Sequence, residues 1–140
     1  MSGPEHLVET RRWLRYARED LEGAERLLAQ ATSVPRHICL LAQQAAEKAL
    51  KAVLIFLQIE YPYTHNLNVL RNLVPEGWTL KENNQDLAAL TAWAIEARYP
   101  GTWPEATEAD ARTAVTQARA VWTSVARDLA DRGFVIGETP

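Results

Sequence analysis

The chain has 140 residues, a formal net charge of −3, 47% hydrophobic residues, three histidines and one cysteine. That length fits one domain with a real core, and the hydrophobic share excludes wholesale disorder. A lone Cys39 excludes an internal disulfide and a thiolate zinc cluster, and the acidic balance excludes a diffuse polybasic coat for nucleic acid, so neither metal nor cofactor is expected.

Ser2-Gly3-Pro4-Glu5-His6 is not a basic start leading into an apolar run, so no targeting segment is read there. Prolines at 4, 35, 62, 75, 100, 104 and 140 mark boundaries, since each costs about 3 kcal/mol inside a helix. The windows between them are rich in Ala, Leu, Arg and Glu, and none alternates with period two, so helices are expected and strands are not.

The first helix is expected over residues 5–31, with Ser2 and Glu5 as a capping box around Pro4. Leu7, Leu14, Leu21 and Leu28 recur every seven residues, each followed three later by Thr10, Ala17, Ala24 and Ala31. This seam of large and small residues suits close antiparallel packing. Arg11, Arg15, Arg18 and Arg26 flank it, interleaved with Glu19, Glu22 and Glu25. A self-neutralising lattice is the simpler reading of that flank, and a phosphate track the sharper one.

The second helix is expected over residues 34–58, with Ser33 as N-cap and Pro35 in its first turn. Ile38, Ala42, Ala45, Ala49, Ala52 and Phe56 form one apolar stripe, and Ala46, Leu50, Val53 and Leu57 a second. So wide an arc places this helix centrally, while Leu40, Leu54 and Ile55 on the other side read as a second contact surface. Its run from Ile38 to Ile59 carries Gln43, Gln44, Glu47, Lys48 and Lys51, which makes it a buried helix and not a membrane span. A soluble, cytoplasmic protein is expected.

After the break at Tyr61-Pro62-Tyr63-Thr64, a short helix is expected over 65–73, ending at Pro75-Glu76-Gly77. A fourth helix over 84–98 would bury Leu87, Leu90, Ala94 and Ala97, and Tyr99-Pro100-Gly101 would end it. Thr102 and Glu105 read as the capping box of a fifth helix running to Asp131. Ala111, Ala114, Ala118, Val121, Val125 and Leu129 would face inward, and Gly133 would stop it. The expected architecture is all-α: an antiparallel up-and-down four-helix bundle with a short extra helix. It spans residues 5–131, followed by a tail, 132–140, that frays from Phe134 onward.

Chemistry concentrates on the second helix. Gln44, Lys48 and Lys51 form one row and Gln43, Glu47 and Lys51 its neighbour, with Glu47–Lys51 an i, i+4 pair. Lysines so spaced can hold a phosphate chain; the simpler reading is a solvated face. His65 is either an acid, base or ligand group or an anchor for the connection. Arg98 at a helix end is explained by the helix dipole, or with Tyr99 and Trp103 by base stacking. Trp13, Trp93, Trp103 and Trp122 read as core and interface, and Cys39 as an inert small hydrophobe. No Gly-rich phosphate loop, GxSxG, HExxH or EF-hand pattern occurs.

Taken together, Gln43-Gln44-Ala45-Ala46-Glu47-Lys48-Ala49-Leu50-Lys51-Ala52, His65-Asn66-Leu67 with Leu70, and Arg98-Tyr99-Pro100 resemble the prokaryotic HEPN family. Trp13-Leu14-Arg15-Tyr16-Ala17-Arg18-Glu19-Asp20-Leu21 looks like that family's first helix, so the resemblance covers residues 7–130. It implies a helical bundle, a homodimer, and association with nucleotide or RNA. It also implies a separate minimal nucleotidyltransferase as partner, in a toxin–antitoxin-like pair. It raises Gln44, Glu47, Lys48, Lys51, His65, Arg98 and Tyr99 to candidate nucleotide-binding residues.

The ribonuclease branch of that family carries Arg, four to six residues, then His. Here Trp103, Pro104 and Glu105 stand at those positions after Arg98, and neither His65 nor His37 has an Arg at that spacing before it. The usual proton-transfer group is therefore missing. Three readings remain: a non-catalytic nucleotide or RNA-binding module, a metal-independent ribonuclease using Arg98 with a non-standard partner, and a helical dimerisation scaffold without a ligand.

Overall fold

The computed structural model describes residues 4–136, and all regular structure within them is helical. The helices are α1 (Glu5–Leu28), α2 (Pro35–Phe56), α3 (Leu67–Asn72), α4 (Thr79–Asn83), α5 (Ala88–Glu96) and α6 (Glu108–Asp131). The expected all-α bundle is what forms, with two short extra helices instead of one.

The seam of α1 packs as its spacing requires. Thr10, Leu14, Ala17, Leu21 and Ala24 are buried, while the helix ends at Leu28, short of Ala31. Pairs along α1 and α2 fix their direction. Gly23 lies against Leu41, Asp20 bonds Lys48, and Trp13 lies beside Lys51, so the two helices run antiparallel. α5 returns antiparallel to α2, placing the Ala97 carbonyl at Arg36 and Thr91 at Leu67. α6 closes the bundle antiparallel to α1, with Arg119 on Glu25 and Phe134 beneath Arg11. The layout is up, down, up, down.

α2 is the common wall, packed against α1, α3, α5 and α6. Both of its apolar stripes are covered, and Leu54, expected on a free second surface, is fully buried within the same chain. Leu40 and Ile55 remain half-buried.

Helix starts depart from expectation in four places. Val34, not Ser33, is the N-cap of α2, with Pro35 at the first helical position. α6 begins at Glu108, where Thr107 and Asp110 form the capping box. Residues 102–106 stay non-helical, because Trp103 Nε1 donates to the Glu96 carbonyl and folds the loop back onto the end of α5. Residues 84–87 precede α5 without joining it. The short helix starts at Leu67, capped by the Asn66 side chain, so His65 lies outside it. The Ser2 cap and residues 137–140 lie outside the described residues.

Phe134 does not fray. Gly133, at φ 80°, turns the chain so that the Phe134 amide bonds the Leu129 carbonyl, and the ring packs edge-on against Phe56 at 5.6 Å.

No local pattern in the sequence announces α4. Too short to persist alone, it depends on Asp128 of α6, which accepts bonds from Thr79 N, Thr79 Oγ1 and Leu80 N at 3.1, 2.6 and 2.8 Å. Arg132 stacks over the Trp78 ring just before it, at 3.6 Å. Asp128→Ala leaves the buried Leu80 donor and the two part-buried Thr79 donors unpaired. It is expected to cost about 2 kcal/mol, lowering the thermal midpoint by about 6 °C. An unchanged midpoint in a calorimetric scan would contradict this account of α4.

Candidate functional site

Gln43, Glu47 and Lys51 recur every four residues on α2, so they share one face. That face is not solvated, as the simpler reading had it: all three are buried under the connection between α2 and α3. A buried charge needs partners, and Glu47 has a full set. Its Oε1 accepts from Gln43 Nε2 at 3.1 Å and pairs with His65 Nδ1 at 2.8 Å, and its Oε2 accepts from Lys51 Nζ at 2.8 Å. Gln43 Nε2 also donates to the His65 carbonyl at 3.1 Å, and Gln44 Nε2 donates to Gln43 Oε1 at 2.7 Å.

Burial alone would push the Glu47 carboxyl up. The bonds from Lys51, His65 and Gln43, with the Lys51 charge, outweigh that and hold it below its ordinary value. Nearby, burial and the Glu47 charge both push the Tyr61 hydroxyl up. Lys51 Nζ also lies 5.6 Å from the Tyr61 ring and 5.9 Å from the Trp13 ring. The arrangement clamps the chain leaving α2 to α2 itself, and leaves Glu47 charged and enclosed.

The other candidates divide. Lys48 turns toward α1 and bonds Asp20 at 2.5 Å. Arg98 and Tyr99 are exposed and lie at the opposite end of α2, beside Arg36. Arg36 precedes Glu47 by about 16 Å along the helix axis. Glu47, Lys51 and His65 therefore form one cluster, with Gln44 at its edge, and Arg98 and Tyr99 form part of another. Of the interleaved charges on α1, Arg15–Glu19 pairs at 3.6 Å on the surface.

The second cluster is a cleft of about 350 Å³ under the loop after α5, lined by Arg36, Glu96, Arg98, Tyr99, Trp103 and Glu105 among others. Arg36 was not singled out from sequence. Only the return of α5 brings residues 97–99 to it, and no local pattern announces that contact. Gln43 was visible as a row-mate of Glu47 but was not counted as a candidate.

The family model of the HEPN domain matches residues 10–129. The chain belongs to the HEPN family. Two solved structures are similar to this HEPN chain. One is TT1696 from Thermus thermophilus, 28% identical with a TM-score of 0.71, covering 86% of this chain and 98% of the other. The other is ST0689, an archaeal HEPN homologue, 26% identical with a TM-score of 0.63, covering 83% and 93%. No curated protein matches the chain. Among the described residues, no helix is long and apolar enough to cross a membrane.

Glu47→Gln is expected to destabilise the HEPN bundle by about 3 kcal/mol, because Lys51 would stay buried without its counter-charge. Glu47→Leu combined with Lys51→Met should recover most of that loss. A lowered carboxyl contributes stability that is complete above its unfolded value and is lost as pH falls through its folded one. Wild-type melting temperature should therefore fall in acid, below the ordinary carboxylate range. The contribution of this group to that fall should be missing from both variants, as melting curves across pH would show.

Proposed function

We propose that this protein is a cytoplasmic, non-catalytic HEPN module that binds a nucleotide or an RNA end. It acts as a homodimer beside a separate nucleotidyltransferase subunit, in a toxin–antitoxin-like pair. The observation that carries the reading is the cleft between Arg36 and the Arg98–Trp103 loop. Guanidinium groups pair with phosphate bidentately, and aromatic rings stack on bases. A volume of about 350 Å³ suits a ligand of mononucleotide size. Glu96 and Glu105 offset the two arginines, which favours a ligand read by stacking and hydrogen bonds over one held by diffuse charge.

The same cleft argues against cleavage. Trp103 and Pro104 cannot take a proton from an RNA 2′-hydroxyl, and Glu105 is an exposed carboxylate. The buried Glu47 cluster supports the module by holding its shape.

The dimer reading draws on α5. Its sequence is apolar almost all round, yet Ala88, Ala89 and Ile95 face outward, with Tyr99 exposed just beyond. Such a helix is ordinarily covered. Ile95→Glu is expected to convert a dimer into monomers in analytical ultracentrifugation. A wild type that is monomeric at every concentration would remove the dimer from the proposal.

Calorimetric titration of nucleotides and short RNAs should give millimolar or tighter binding, weakened about tenfold or more by Arg98→Ala. No binding, either alone or in the presence of a minimal nucleotidyltransferase, would overturn the reading. Cleavage of total RNA by the wild type, lost in Arg98→Ala, would replace it with a ribonuclease.

A further inference from the structure

On the opposite flank of α2, away from the Arg98 loop, lies a second cleft of about 280 Å³. Glu9, Arg12, Trp13 and Tyr16 of α1 and Lys48 of α2 line it. Tyr16 is 45% exposed in mid-helix, far more than an aromatic ring placed only for packing needs. Trp13 is half-buried, and the Lys51 ammonium lies 5.9 Å from its ring. Lys51 is itself held by Glu47, so the wall behind Trp13 is rigid.

The cations around the cleft are fixed in the same way. Arg12 is tied to Glu9 at 2.9 Å and Lys48 to Asp20 at 2.5 Å. Lys48 Nζ lies 5.9 Å from the Tyr16 ring, and the Arg15 guanidinium 5.1 Å from it. Lys48 and Arg15 are thus held against the Tyr16 ring, and Arg12 at the wall of the same cleft, at little further cost in side-chain entropy. Two part-exposed rings on neighbouring turns of one helix, with ammonium and guanidinium groups close over them, match a planar heteroaromatic base carrying an anionic group.

We propose that Trp13, Tyr16, Arg12 and Lys48 form a second binding site, for a nucleoside 5′-phosphate. The base stacks on Trp13 and Tyr16, and the phosphate meets Arg12 and Lys48. The ligand is either a free nucleotide or one residue of a single-stranded RNA whose neighbours extend along α1 past Arg15. The choice of ligand class rests on the nucleotide-binding reading above; the site does not, because it shares no residue with the Arg98 cleft.

The test is equilibrium binding of adenosine 5′-monophosphate and of a short single-stranded RNA to four proteins: wild type, Arg98→Ala, Trp13→Leu and Lys48→Met. Adenosine and inorganic phosphate serve as part-ligand probes. Two binding components are expected in the wild type, and one that survives Arg98→Ala but weakens about tenfold or more in both Trp13→Leu and Lys48→Met supports the site. Adenosine and phosphate should each bind more weakly than the monophosphate. A preference for RNA over the mononucleotide assigns the strand as the source, and the reverse assigns a free nucleotide.

Tyr16→Ala, at a half-exposed ring, covers the case in which Trp13→Leu fails to fold. Binding abolished by Arg98→Ala and untouched by the Trp13, Tyr16 and Lys48 variants overturns this site while leaving the first one standing. A wild type that binds none of the probes overturns both.

Discussion

A carboxylate set into the interior of a bundle has to be satisfied from every side, and Glu47 is. Its partners come from the preceding turn of α2, the following turn and the connection to α3. The geometry of that connection follows from this requirement. Gln58 adopts a left-handed conformation at φ 55°, the Ile59 amide closes the end of α2 on the Leu54 carbonyl, and the chain returns over Glu47 to deliver His65. Asn66 then caps α3, and α3 positions α5 through the bond from the Leu67 amide to Thr91. One buried charge thus sets where the third long segment begins.

Because α2 is covered nearly all round, ligand-sized hollows form at its margins. Two that carry aromatic rings open where α1 crosses it near Lys48 and where the loop after α5 meets Arg36. Both pair aromatic rings with basic side chains, and both carry acidic residues that balance the local charge. The net charge of −3 is therefore no measure of either hollow. The excess of acidic residues lies in the C-terminal half, whereas Arg11, Arg12, Arg15, Lys48 and Lys51 all belong to α1 and α2.

Helix identity was legible because it is local. Leu14, Leu21, Ala17 and Ala24 are buried as a heptad seam demands, and so are Ala111, Ala114, Ala118, Val121, Val125 and Leu129. What depends on distant partners was not legible. α4 exists through Asp128, 48 to 49 residues further on. Thr102 and Glu105 read as a capping box, but Thr107 and Asp110 form it, because Trp103 docks the intervening loop on the Glu96 carbonyl. The site divides in the same way. Glu47, Lys51 and His65 belong together as their motifs imply, but Arg98 and Tyr99 meet Arg36 instead, because α5 runs antiparallel to α2 and carries its end away from them. The candidates thus fall into a buried cluster and a separate cleft.

Cys39 is wholly enclosed on α2, and burial, aided by the charge of Asp110, pushes its thiol up to about 12. Only the thiolate attacks an alkylating reagent, so the folded protein presents almost no nucleophile. As the sole sulfhydryl in the chain, it reacts only when α2 parts from its neighbours. The rate of its modification therefore clocks the opening of the central helix, in a native sequence that needs no engineered label.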